Sequence, residues 1–452
     1  MAEAKHPTYR CVLWSILVAA TLCPLVIGEI TRPQGEAGSR RGIAIGAYGG
    51  TADASKSVSA FVGKYGGGSG VEADPYLVFT AEQFDAVGAE PNDWDKHFVL
   101  MADIDLSGYP GRELHLVGTD ATSPFSGVFD GNEHTISGLG RHSPVDSHSA
   151  PLFGYVTGTI KGVGLIDPNV GGRLLYYTGS LVGDNHGVIS HCYAVDVNVV
   201  GGGWQTGGLV GWNSREGTMI DCNSTGVVSD RCAGGLVGQN LGTITRCRSA
   251  AVVVGNSPVG GLVGYNSEGT ITNSCSTGTV TGDDRTGGLL GANWIGTITG
   301  CYSAAVIKGN DGVGGLVGEN ASGFIINCYS SANTLGDRLT GGLVGDSGGG
   351  AITNCYAVGP TKGRYPVGGI THWRHDGDIV TGCFWDVDAT GCSLSAAGAG
   401  KTTAEMQTAS TFLAAGWDFA DETANGSDDI WRIVEGQDYP RLTWEPDPNE
   451  GE

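Results

Sequence analysis

The chain has 452 residues, of which 79 are glycine and 16 proline, and 40% of it is hydrophobic. Glycine does not recur at every third position, which excludes collagen, and the in-register Ile, Val and Leu argue against disorder. With 25 basic and 47 acidic residues the formal net charge is -22, which disfavours nucleic acid and anionic membranes as partners.

Residues 1–28 open with Lys5 and Arg10 and continue as the apolar run CVLWSILVAATLCPLVIG, the pattern of an export signal. An uncleaved anchor is the alternative reading of so short a run. Residues 29–68, including RRGIAIGAYGGTADASKS, read as a remnant or linker resembling the closing segment of exported parallel β-helix proteins.

Residues 69–149 form an expected N-terminal β-rich cap. Thr80 precedes Ala81, Glu82 and Gln83, which predicts a capped helix through Val87. The alternating strand HFVLMADIDLSG follows, then a hairpin-like pair around Asp130-Gly131-Asn132. Asp103 and Asp105 would point to one side of a strand, where they are a weak calcium candidate or a turn-flanking pair.

Residues 150–382 are repetitive. The string GGLVG or GGLLG begins at Gly207, Gly234, Gly260, Gly287, Gly314 and Gly341, at offsets of 27, 26, 27, 27 and 27. The unit reads GGLVG-x-N-x-x-G-T-I-x-x-C-Y-S-x-x-x-V-x-G. It holds three short strand candidates and no helical run, so identical coils should stack in parallel and advance about 4.8 Å each. The fold class expected is all-β: a parallel β-helix-like solenoid of about 27-residue coils with small mixed end caps.

Four rows of side chains follow from that stacking. Leu209, Leu236, Leu262, Leu289, Leu316 and Leu343 should form an apolar column. Eight cysteines from Cys192 to Cys383, with Cys275 among them, are spaced 25 to 30 residues apart and suggest a ladder of inward, reduced thiols. Vertical disulfides are the alternative, against which stands a strand spacing of about 4.8 Å where bridged Cβ atoms prefer about 3.8 Å. Ile244 and Cys247 are three apart, so a corner or bulge must lie between them if both face inward. The asparagines from Asn185 to Asn320, replaced by Ser347 in the last full copy, suit a turn ladder, with a ligand-binding row as the alternative. Tyr193, Tyr302, Tyr329 and Tyr356 follow four of the cysteines and suit either packing or a glycan-stacking stripe.

These strings resemble the GLUG repeat family, named for its Gly-Leu-any-Gly core, over about residues 150–375. The resemblance implies an exported or cell-surface bacterial protein, adhesin-like or lying beside a peptidase domain. It supplies no catalytic residue.

Residues 383–452 read as a C-terminal cap and tail, with a short helix over 404–414 packed by Trp417, Trp431, Trp444 and Tyr439-Pro440. Asp386 and Asp388 form a second weak calcium candidate. Gly400-Lys401-Thr402 is not a P-loop, because Ser395 stands where the motif needs its first glycine. No CxxC pair occurs, which rejects zinc-ribbon spacing.

His186 and His191 are the best-placed histidines, and no acidic partner for them is evident from the sequence. The expected function is a non-catalytic, secreted or cell-surface structural or adhesin-like protein that uses no cofactor. Its expected partners are polysaccharide or other surface components. The alternatives are a carbohydrate-active β-helix enzyme, lyase or hydrolase, and a glycan-binding module.

Overall fold

The computed structural model describes residues 63–109, 114–143, 151–172, 176–420 and 422–446. The expected signal at 1–28 and most of the 29–68 segment lie outside the described residues.

From Tyr76 onward the chain winds into a parallel β-solenoid. One sheet collects a strand from each successive coil, twelve in all, from Tyr76–Val78 to Ile379–Thr381. A nine-stranded sheet runs from Phe153–Val156 to Thr371–Arg374, and a seven-stranded sheet from Tyr177–Thr178 to Thr340–Gly341. A larger sheet carries the remaining outer strands. Twelve strands at about 4.8 Å make a stack about 50 Å tall. The strands at Tyr76–Val78, His97–Leu100 and Val128–Asp130 pair in register with the repeats' own sheet, so the expected N-terminal cap is itself coiled.

The repeat unit sets this geometry because each position has one environment. The amide of Leu236 donates to the Leu262 carbonyl at 2.9 Å, and that of Leu262 to Leu289 at 2.9 Å. All six column leucines are fully buried, each contributing about 1.5–3 kcal/mol from side-chain burial. Ile244, Ile271, Ile298, Ile325 and Ile352 pair directly with their copies and are buried as well. The glycines before each Leu mark a tight corner: a Cβ on Gly260 would collide with the Val263 carbonyl and the Gly291 amide of the next coil.

The corner expected between Ile and Cys is a single left-handed residue. Arg246 has φ 52°, and the stacked positions are Asp221 at 53°, Asn273 at 47°, Gly300 at 61° and Asn327 at 51°. One such residue reverses the side-chain alternation of a straight strand and turns both Ile244 and Cys247 inward. Asn, Asp and Gly dominate the position because they tolerate that φ best.

The cysteine ladder is buried and, among the described residues, free of disulfides. Its membership differs from the even spacing in one coil. Ser274, not Cys275, occupies the thiol position: the Cys247 amide donates to Ser274 Oγ at 3.0 Å, and the Ser274 amide to Cys301 Sγ at 3.4 Å. Cys275 pairs with Arg248 and Tyr302, in the outer column one residue later. The coil reads Asn-Ser-Cys-Ser where others read x-Cys-Tyr-Ser, so counting cysteines shifts the register by one.

The asparagines form an internal ladder. Asn185 donates through Nδ2 to Oδ1 of Asn213 at 2.7 Å, and the chain continues to Asn240, Asn266, Asn293 and Asn320 at 2.7 to 2.9 Å. Each Nδ2 also reaches a glycine carbonyl in its own coil, as from Asn266 to Gly269 at 3.0 Å. All six are fully buried, which leaves no ligand-facing asparagine row.

Both ends are covered. Helix Ala81–Ala89 is N-capped by Thr80, whose Oγ accepts from the Gln83 amide, and it buries Phe84 and Val87. At the other end two short helices, Thr403–Met406 and Ala409–Leu413, replace the one expected over 404–414. Thr402 and Glu405 close the first with a capping box. An antiparallel pair, Trp431–Arg432 with Arg441–Leu442, completes the segment.

Candidate functional site

The tyrosine row does not present a binding face. Tyr302, Tyr329 and Tyr356 do stack, with centroids 5.0 and 4.9 Å apart and rings within 8° of parallel. The C-terminal segment lies over them. Tyr356 donates to the Pro440 carbonyl, Tyr329 to Glu445 at 2.9 Å, and Trp444 Nε1 to the Gly300 carbonyl at 2.8 Å. Tyr356 is 1% exposed and Tyr329 7%, so neither of these rings is open to a glycan, and Trp444 stacks on the half-buried Tyr302. Tyr193 stands apart at the other end of the column, where its ring fills the space over Gly164. Asn223, Arg248 and Cys275 separate it from Tyr302.

The aspartate pairs are occupied by backbone. Asp103 accepts from the Thr135 amide at 2.9 Å, and Asp105 from Ser107 at 2.8 Å. Those bonds hold both carboxyls below the usual carboxylate range. Asp386 is fully buried, where it caps helix Val387–Thr390 and accepts from Tyr439 at 2.8 Å. Asp388 is exposed and accepts from the Thr403 amide. Among the described residues no group of three or more His, Cys, Asp or Glu is placed to hold a metal ion.

The open feature is a groove that the sequence reading did not identify. The seven-stranded and nine-stranded sheets meet at a concave corner, and their outward residues line it. Pairing places Gln239, Tyr265, Ala292, Glu319 and Asp346 in one outward column. Arg285 and Arg338 rise from the other side, where Arg285 bonds Glu319 at 2.6 Å and Arg338 bonds Asp311 at 3.0 Å. The volume of the groove is about 1290 Å³. Trp204 and Trp294 line it at 57% and 54% exposure, with Arg231 over the Trp204 ring at 5.4 Å. Inward positions repeat because packing constrains them; the groove columns vary from coil to coil, which hides them from a search for periodicity.

The same two columns continue toward the N-terminal end, to Tyr177 and to Tyr155, Asp184 and Trp212. There His186 Nε2 lies 2.9 Å from Asp184 Oδ1, at ion-pair distance but not aligned as a hydrogen bond. Glu216 approaches the other ring nitrogen at 3.6 Å. Tyr155 stacks on His186 at 4.5 Å, and Trp212 stacks on Tyr177 at 5.0 Å. Burial pushes the Asp184 carboxyl up to about 7, and lowers the His186 pKa against the pull of Glu216. His186 therefore does have acidic neighbours, contributed by Asp184 of the strand that ends just before it and by Glu216 of the following coil. His191 sits elsewhere, exposed, 3.5 Å from Asp221.

The family model of the GLUG motif matches residues 202–229 and 255–281. A protein of Evansella cellulosilytica, described as a candidate Gly-rich membrane protein, is 33% identical over 137 residues. That match covers 28% of this chain and 15% of the relative, so the chain spans only a small part of it. Two solved structures are similar. One is a Bacteroides ovatus protein described as a candidate immunoglobulin A1 protease, with TM-score 0.41 and 20% identity over 85% of this chain and 96% of that one. The other is an IgA1 protease, with TM-score 0.39 and 15% identity over 68% of this chain and 21% of that one. Neither likeness transfers an activity. Among the described residues no helix is long and apolar enough to cross a membrane.

Proposed function

For this β-solenoid, whose coils carry the GLUG motif, we propose a secreted or cell-surface role as a structural, adhesin-like module. The observation that carries the proposal is the contrast within each coil. Leu, Ile and Asn columns hold a repeating interior with few exchanges, while most variation is displayed on outward faces. A stiff stack of that kind presents many contacts in a row, which suits weak multivalent attachment to polysaccharide or other surface components. In this reading residues 1–28 direct export, 29–68 link, and 69–149 and 383–452 close the ends of the 150–382 repeats. The apolar run at 11–28 and the name of the Evansella relative support a surface location.

The Asp184, His186 and Glu216 cluster favours a second reading, a carbohydrate-active enzyme, because it places a carboxyl with a raised pKa beside an imidazole. The surface role is tested on intact cells producing the full chain. Protease shaving should release fragments of the coils, and the mature chain should begin after residue 28. A protected chain that retains Met1 in the cytoplasm would refute it.

A further inference from the structure

We propose that the groove between the seven-stranded and nine-stranded sheets binds an extended neutral glycan lying along the stack axis. The inference deepens the surface role by naming the ligand class, and it rests on that role only for where the ligand is met.

Shape is the first argument. The column Gln205, Cys232, Pro258, Arg285, Gly312, Leu339 spans six coils, or about 24 Å at one strand spacing per coil. A groove of about 1290 Å³ over that length is long and open, suited to a chain more than to a compact small molecule.

Its surface chemistry is the second. Trp204 and Trp294 belong to coils three apart, about 14 Å along the axis, and both remain more than half exposed at the groove. Exposed tryptophans give flat apolar faces on which the C–H face of a sugar ring can rest. Level with Trp294 and in the two coils beyond it, Arg285 with Glu319, and Arg338 with Asp311, supply donors and acceptors already fixed by ion pairing. Hydroxyl groups can bond such pairs without either charge being left unpartnered.

Charge selects among glycans. Three arginines line the groove, at 231, 285 and 338, against five carboxyls, at 283, 284, 311, 319 and 346. The arginines are engaged with Glu319, Asp311 and the Trp204 ring, so no free cation cluster awaits a uronate or sulfate. The excess carboxyls would repel a polyanion.

The test uses the purified full chain and isothermal titration. Cellohexaose, xylohexaose, mannohexaose and chitohexaose are the neutral probes, and polygalacturonate is the anionic one. At least one neutral hexasaccharide should bind, and Trp294→Ala and Trp204→Ala should each weaken it about tenfold. Both side chains are exposed, so the thermal melt of each variant should match the parent. The proposal is overturned if no neutral probe binds at millimolar concentration. It is also overturned if both tryptophan variants bind like the parent, or if polygalacturonate alone binds. Shaving of intact cells reads the surface role separately, so a surface-exposed chain without glycan binding removes this inference alone.

Discussion

The coils and the C-terminal segment are stabilised by different means. In the coils each side chain meets its own kind above and below: Asn266 bonds Asn240 and Asn293, and Leu262 lies between Leu236 and Leu289. Residues 403–446 have no such copies. They are held by an aromatic cluster in which Phe412, Trp417 and Trp431 pack with Tyr356, and by single bonds such as Trp417 Nε1 to the Gly382 carbonyl at 2.9 Å. Periodic contacts spread the cost of a defect over neighbouring coils, whereas the segment depends on a few large anchors.

That difference can be broken from either side. The largest effect should come from Tyr356→Ala, which removes a fully buried ring at the centre of the aromatic cluster. A loss of about 3–5 kcal/mol is expected. It should appear first as proteolysis within 403–446, with the coils' β-sheet circular dichroism retained. Coils and segment melting together would show that the segment is not a separate unit.

In the coils, Asn266→Ala removes one bond to Gly269, one to Asn293 and one from Asn240. The Gly269 carbonyl keeps the Thr297 amide and Asn240 Nδ2 keeps the Gly242 carbonyl, but Asn293 Oδ1 and the second Asn240 Nδ2 hydrogen lose their partners in the interior. The expected cost is about 3 kcal/mol, read by denaturant unfolding. Asn266→Asp should also destabilise, because a carboxylate cannot donate to Asn293. An unchanged midpoint for both would mean that the ladder contributes nothing net.

The outward face supplies a pH-dependent contrast. The folded chain keeps the Asp184 proton up to about pH 7, while the unfolded chain loses it near pH 4. The stability contributed by Asp184 should therefore fall as pH rises from about 4 to 7 and level off above. Asp184→Asn should flatten that slope and be more stable than the parent at pH 8, by on the order of 1–2 kcal/mol. Parallel pH profiles for parent and variant would contradict it.

The smallest effect concerns the thiol ladder. Cys301→Ala should cost about 1 kcal/mol through a small cavity. Cys301→Ser should cost less, because Ser274 already fills the equivalent place, where it donates to the Thr272 carbonyl at 2.7 Å and accepts from Cys247. Equal melting shifts for the two substitutions would refute that ordering.

Much of the coil was legible because burial repeats. Leu236, Ile244 and Asn240 each recur at a spacing that only stacking explains, and the corner between Ile244 and Cys247 follows from their separation. Register at Cys275 was misread because residue identity was followed where position should have been. The fate of the tyrosine row was hidden for a different reason. Its cover comes from residues 439–445, some 84 and 116 positions after the tyrosines they bond, and no local pattern encodes that return. The groove was least legible, since Trp204, Tyr265, Arg285 and Glu319 share no motif and meet only through the winding of the coils. The same winding brings Glu216 to His186.

The central proposal is that the chain acts by presenting surface rather than by turnover. Its most direct test incubates the purified full chain with neutral and acidic polysaccharides and follows reducing ends and unsaturated products. The account predicts no product above a heat-inactivated control. Product formation that disappears in Asp184→Asn or Glu319→Gln, with the thermal melt intact, would contradict it and favour a carbohydrate-active enzyme.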